Sequence, residues 1–248
     1  MRLSFYLTSL AFVLTATACT PKLSGLQISE AFTAQNVLND RMIIGGVVSG
    51  ETNLPPAKIS SYSNMLRSAF MDERKEYATL PYGSFVGSLE ADETKRVLDE
   101  YQKTGSLSDK TMKMLADKID RARFFVMARI IRDQVKTGQS EKEGYYEKDS
   151  DGNLKWRNPQ VNSWSEREAL VSIDIFDLQR RNLAFSGMIE ESKKKDKTYT
   201  LSTLGAIRSI VSAARGSDPY PAPPAPAIET ILPNVFWAFA ANLPELED

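Results

Sequence analysis

The stretch RFFVMARII, residues 123–131, is apolar at every even position, Phe124, Val126, Ala128 and Ile130, and nearly so at the odd ones. A strand with one wet face alternates; a run apolar on both faces belongs to the covered centre of a sheet. Outward from it, MIIGGVV (42–48) is a second compact apolar run, bounded by Asp40 and by SGETN, and predicts a buried strand. ALVSIDIF (169–176) alternates instead, with Val171, Ile173 and Ile175 against Ser172, Asp174 and Phe176. A tight connection at 180–182 leads from it into LAFSGMIEES (183–192), which predicts a long antiparallel hairpin. With EYATL (76–80) as an edge strand, the expectation is an α/β protein with a central mixed sheet of about five strands and packed helices.

The helices carry their own signals. Pro55 and Pro56 suit a first turn, and Ile59, Tyr62, Leu66 and Phe70 follow at helical spacing. ADETKRVLDEYQKTG (91–105) is helical by propensity and closes on Gly105, and Ser108 caps the helix expected over 108–120. PYGSFVGSL (81–89) reads as a loop because of its glycines. TLGAIRSIVSAAR (203–215) has a helical pattern, and DPYPAPPAPA (218–227) favours an extended polyproline path across the surface. The last segment, with Phe236, Trp237 and Phe239, is apolar nearly all round and predicts a helix started or kinked by Pro233. It is either buried or a docking helix.

Composition excludes several classes of function. With 31 basic and 32 acidic side chains the net charge is -1, so no global positive field draws in nucleic acid. The chain has no histidine and one cysteine, which excludes an internal disulfide and any Cys/His zinc site. No cofactor or metal is expected, and no catalytic residues are assigned. Ser192 to Lys195 match an S-x-x-K pattern, but they stand in a lysine run rather than at the start of a buried helix. Asp174 and Asp177 have opposite pleat parity and read as solvated carboxylates paired with Arg129 or Arg132. Asp151-Gly152 is a hairpin turn signal rather than half of a calcium loop.

The single cysteine, Cys19, follows MRLSFYLTSLAFVLTATA, which has one positive charge at Arg2, an apolar stretch and small residues at 16–18. That is a secretory signal peptide, and its apolar run is shorter than the roughly 20 residues a spanning helix needs. Placement directly before Cys19 resembles the lipobox of bacterial lipoproteins, whose cysteine carries diacylglycerol and a further acyl chain such as palmitate. The family has leucine three positions before the cysteine, where this chain has Ala16. Ala16-Thr17-Ala18 also satisfies ordinary signal peptidase, which would release a soluble periplasmic protein. An acyl chain is worth about 0.8 kcal/mol per buried methylene, so two or three chains anchor firmly. Thr20 in place of aspartate implies, by the same resemblance, the outer membrane.

These signals divide the chain into a signal peptide (1–18), acylated Cys19 with a tether (19–40), a periplasmic α/β domain (41–214) and a Pro-rich segment with a C-terminal helix (215–248). Within the domain, residues 139–164 form a polar excursion from the sheet. Its aromatics, Tyr145, Tyr146, Trp156 and Trp164, either contact a partner or pack onto the sheet. Lys193, Lys194, Lys195 and Lys197 form a basic run read as a solvated loop, with anionic headgroups or an acidic surface as its alternative partners.

The strand MIIGGVV, the helix after SGETNLPP, the strand FFVMARI and the hairpin LVSIDIFDLQRRNLAFSG resemble the periplasmic domain shared by curli-secretion-channel lipoproteins and lipoprotein activators of penicillin-binding proteins. The match includes Thr52 in the first loop and a strand–Asp–turn–strand pattern at Asp177. The resemblance implies a non-catalytic scaffold on the outer membrane that binds an envelope protein, or else a subunit that self-associates into a secretion-channel ring. The sequence shows no long alternating hairpins of the kind that build the curli channel's barrel.

Overall fold

The computed structural model describes residues 21–201 and 218–245. A six-stranded mixed sheet is built from β1 (Lys22–Ile28), β2 (Met42–Ser49), β3 (Thr79–Leu80), β4 (Phe124–Lys142), β7 (Gln160–Asp177) and β8 (Asn182–Thr200). Their order is β1-β8-β7-β4-β2-β3. The β2 strand runs parallel to β3 and β4, and the other neighbours are antiparallel. A separate two-stranded hairpin is formed by β5 (Tyr145–Lys148) and β6 (Leu154–Arg157). The helices are α1 (Ala34–Asp40), α2 (Pro56–Glu73), α3 (Tyr82–Ser88), α4 (Ala91–Thr104), α5 (Asp109–Lys118) and α6 (Leu232–Ala240). Among them none is long and apolar enough to cross a membrane.

Every residue of β2 is buried, because helices cover both faces of the parallel part of the sheet. On one face Ile44, Val47 and Val126 meet Tyr62, Leu66 and Phe70 of α2 and Phe236 and Phe239 of α6. On the other, Ile43, Phe125 and Met127 meet Phe85, Val97, Tyr101 and Leu115. Gly45 lets this second layer approach: a Cβ there would lie 2.1 Å from the Phe125 ring. The caps follow the sequence signals. Gly105 ends α4 in the left-handed conformation, and the Ser108 hydroxyl accepts from the Thr111 N–H at the start of α5.

Several expectations are corrected. Residues 22–40 are no tether: β1 pairs with β8, and Thr33 caps α1. Phe32 between them is buried with its ring 5.2 Å from those of Phe124 and Phe185. A strand on the sheet edge with an exposed face carries little apolar alternation, which hid it. Residues 82–88 form a helix despite two glycines, because Phe85 buries itself against Phe125. The excursion expected over 139–164 is confined to the small hairpin, since the β4–β7 ladder continues in register to Lys142 opposite Gln160. The lysine run is part of β8, not a loop. In α6, Phe236 and Phe239 are core, and Trp237 alone of the three aromatics is exposed. Phe239 stacks on Phe70 and meets the Phe185 ring edge-on. The signal peptide, Cys19 and the helix expected over 203–215 lie outside the described residues.

Candidate binding site at the tip of a β ribbon

The β2 strand stops pairing at Ser49 opposite Ile130, and β1 at Lys22 opposite Glu190. Beyond those points β4, β7 and β8 continue as a three-stranded ribbon. Twelve further residues of β4 at about 3.3 Å each give it a reach of about 40 Å. Charge pairs hold it where apolar pairs would hold a core: Lys136 with Glu168 at 2.5 Å and Arg167 with Asp133 at 2.8 Å. Trp164 lies across Gly138, where a Cβ would come within 2.5 Å of its ring, and the Lys194 ammonium sits 4.8 Å from the ring centre.

The proline-rich segment straps the other face of the ribbon. Ser163 donates to the Tyr220 carbonyl at 2.7 Å, Ser165 to that of Pro223, and Tyr199 to that of Pro221 at 2.8 Å. Gln139 reaches the Tyr220 carbonyl from β4. These bonds satisfy the buried serine hydroxyls, so the extended path expected from the prolines is fixed to all three strands.

At the end of the ribbon stands the β5–β6 hairpin. The Asp149 carboxylate accepts from the N–H groups of Asp151 and Asn153, and Gly152 takes the left-handed conformation, which closes the turn. Register places Tyr146 directly opposite Trp156, their ring centres 5.0 Å apart in an edge arrangement. Leu154 shares their side of the hairpin by strand parity. Tyr146 is 67% exposed, Leu154 66% and Trp156 48%. The opposite side carries the Arg157–Glu147 ion pair at 2.6 Å and Tyr145, whose ring lies 4.6 Å from the Lys142 ammonium. Hydrogen bonding to Glu147 raises the Arg157 pKa. Trp156 lies over Gly144, where a Cβ would come within 2.3 Å of the indole.

The structure therefore places Tyr145, Tyr146 and Trp156 on one small hairpin, with Tyr146 and Trp156 in contact on one side and Tyr145 on the other, and leaves Trp164 lower in the ribbon. Leu154 was missed, although the Asp151-Gly152 turn places it two residues from Trp156 on the same side of a strand. The exposed apolar side formed by Tyr146, Leu154 and Trp156 is suited to bury another molecule, since rigid aromatics give large contact area at low entropic cost.

The two aspartates of the hairpin are buried, contrary to the expectation of solvated carboxylates. Asp174 accepts from the hydroxyls of Tyr101 and Ser186, and burial pushes its pKa up. Burial also works to raise Asp177, but hydrogen bonds from Arg123 and from the N–H groups of Arg180 and Gln179 outweigh it and hold the carboxyl low. Neither pairs with Arg132, which binds Glu190. A polar cleft of about 350 Å³ lies at the far end of β2, lined in part by Ser49, Thr52, Lys58 and Glu229. Among the described residues no group of acidic or cysteine side chains is placed to hold a metal ion.

No family model and no curated protein matches the sequence. Among solved structures, the chain is similar to a PelC dodecamer from Paraburkholderia phytofirmans at 10% identity, with 92% of this chain and 99% of that one covered and a TM-score of 0.38. It is similar to the hypothetical protein CT253 from Chlamydia trachomatis at 13% identity, covering 82% and 94%, with a TM-score of 0.36. The lipoprotein GNA1162 from Neisseria meningitidis matches at 10% identity, covering 71% and 96%, with a TM-score of 0.32. Likenesses at these scores carry no weight for function.

Proposed function

We propose that the chain is a non-catalytic lipoprotein, anchored in the outer membrane through acyl chains on Cys19, whose domain faces the periplasm and binds an envelope protein through the ribbon tip. The observation that carries the binding role is the apolar face formed by Tyr146, Leu154 and Trp156 at the end of a strapped ribbon. Solvent exposure of three large apolar side chains on one small hairpin costs stability that burial against a partner recovers, at about 25 cal/mol per Å² of apolar surface.

The ring-forming secretion channel is the second reading, favoured by one feature: β4, β7 and β8 are 19, 18 and 19 residues long, well beyond the hairpin read over 169–192. The distal strands carry Lys136, Glu166, Glu168, Lys194 and Asp196 on one face, which is unsuited to lipid. The binding module therefore leads. A photo-crosslinking residue at position 146 in cells should yield one discrete adduct. The same residue at position 113, on α5 away from the ribbon, should not. Equal adducts from both positions would remove the tip as the contact.

A further inference from the structure

Among the described residues, the distal part of β8 has a bare edge. From Lys193 to Thr200 no described strand pairs with it on the side away from β7, and this edge carries Lys193, Lys194, Lys195 and Lys197. All four are exposed. Lys194 is engaged with Asp196 at 3.5 Å and with Trp164. Lys197 stacks on Tyr199 with its ammonium 4.7 Å from the ring, and Lys193 and Lys195 have no ion pair among the described residues. By strand parity Lys193, Lys195 and Lys197 project on the same side, about 7 Å apart. In a chain whose net charge is -1, this is a local concentration of positive charge.

The β1 register says what lies beside it. Lys22 pairs with Glu190 and the two strands are antiparallel, so the chain reaches Lys22 from the direction of the lysine edge. Cys19 stands three residues before Lys22, and three residues span at most about 11 Å. Acyl chains on Cys19 would hold the bilayer surface within that reach of Lys22, whose partner Glu190 stands three residues before the start of the lysine row. We infer that the β8 edge is a membrane-contact surface, with Lys193, Lys195 and Lys197 meeting the anionic phosphates of lipid headgroups and orienting the ribbon along the bilayer. The inference rests on the acyl-anchor reading of Cys19, and charge complementarity and the short covalent reach select lipid over an acidic protein. Lysines also protect bare edges from unwanted strand pairing, a role that would not depend on lipid charge.

The full chain carrying Cys19→Ser isolates the headgroup contact from the anchor. At low ionic strength it should sediment with vesicles of phosphatidylethanolamine and phosphatidylglycerol, remain free of vesicles of phosphatidylcholine alone, and be released by salt. Each lysine near an anionic surface contributes about fivefold, so Lys193→Gln/Lys195→Gln/Lys197→Gln should weaken retention about a hundredfold with an unchanged melting transition. Equal retention of the triple variant, or indifference to vesicle charge, would overturn the proposal. Mass spectrometry of the unmutated protein from membranes reads the anchor separately: an unmodified Cys19 sinks the acylation, whereas charge-dependent retention still supports the edge.

Discussion

Arg123 holds Asp177 by both carboxylate oxygens while its remaining nitrogen reaches Asp40. Its Nε lies 3.0 Å from each Asp177 oxygen, Nη2 lies 2.6 Å from Oδ2, and Nη1 lies 2.9 Å from Asp40. One guanidinium thereby joins the end of α1, the start of β4 and the β7–β8 turn. The Asp177 side chain is 1% exposed and Arg123 10%, so the pair is desolvated, and Arg fits the task through its planar fork.

Removing one partner leaves a buried charge, and Arg123→Gln should cost about 3–5 kcal/mol in urea unfolding. Asp177 is held below its ordinary value, so its contribution is whole above about pH 4 and is lost as pH falls through the lowered folded value. Asp177→Asn should therefore be destabilised at neutral pH and converge on the parent in acid. A constant difference from pH 7 to pH 2 would contradict this.

Tyr101 and Asp174 make the opposite case. Tyr101→Phe removes one donor to a buried carboxylate and should cost about 1–3 kcal/mol. Burial raises Asp174, so the stabilising contribution of its protonated form is present below about pH 4 and lost as pH rises through the raised value. Relative to Asp174→Asn, the parent should lose stability as pH rises over that window. Thermal melts of both chains in a pH series read the slope directly.

Glu229 fastens the end of the proline-rich strap to α2. It accepts from Lys58 at 2.9 Å and Tyr62 at 2.7 Å, and these bonds lower its pKa from 4.5 to about 2. Carboxyl titration by NMR should give a midpoint near 2, and Glu229→Gln should flatten the part of the stability profile lost as pH falls from 4.5 toward that value. A midpoint near 4.5 would mean that the Lys58 and Tyr62 bonds to Glu229 are not held in solution.

Substitutions at Gly45 and Gly144 test the body and the tip independently. A Cβ at Gly45 would strike Phe125 and Met127 in the core, so Gly45→Ala should cost about 1–3 kcal/mol. Gly144→Ala displaces Trp156 and crowds the Arg157 carbonyl oxygen at 3.0 Å, both on the exposed hairpin, so it should reduce the position-146 adduct while leaving the stability of the body within about 0.5 kcal/mol of the parent.

The body was legible because its strands are apolar on both faces, as in RFFVMARII and MIIGGVV, and its helices carry caps at Gly105 and Ser108. The ribbon was not, because its cross-strand partners are Lys136 with Glu168 and Arg167 with Asp133, which leave no apolar alternation to read. Burial of Asp174 and Asp177 was hidden for a related reason. Their partners, Tyr101 and Arg123, lie 73 and 54 residues away, and only the fold brings them together. The placement of Tyr145, Tyr146 and Trp156 on one hairpin was legible because the Asp151-Gly152 turn signal lies between them, whereas Trp164 belongs to the ladder itself.

The most direct test of a partner-binding tip is the native mass of the full chain, extracted from membranes in mild detergent and sized by light scattering. The expected result is a small complex whose mass falls to that of the chain alone in Tyr146→Ala/Trp156→Ala. A large closed ring of identical copies, unchanged by those substitutions, would contradict the binding module and favour the channel subunit.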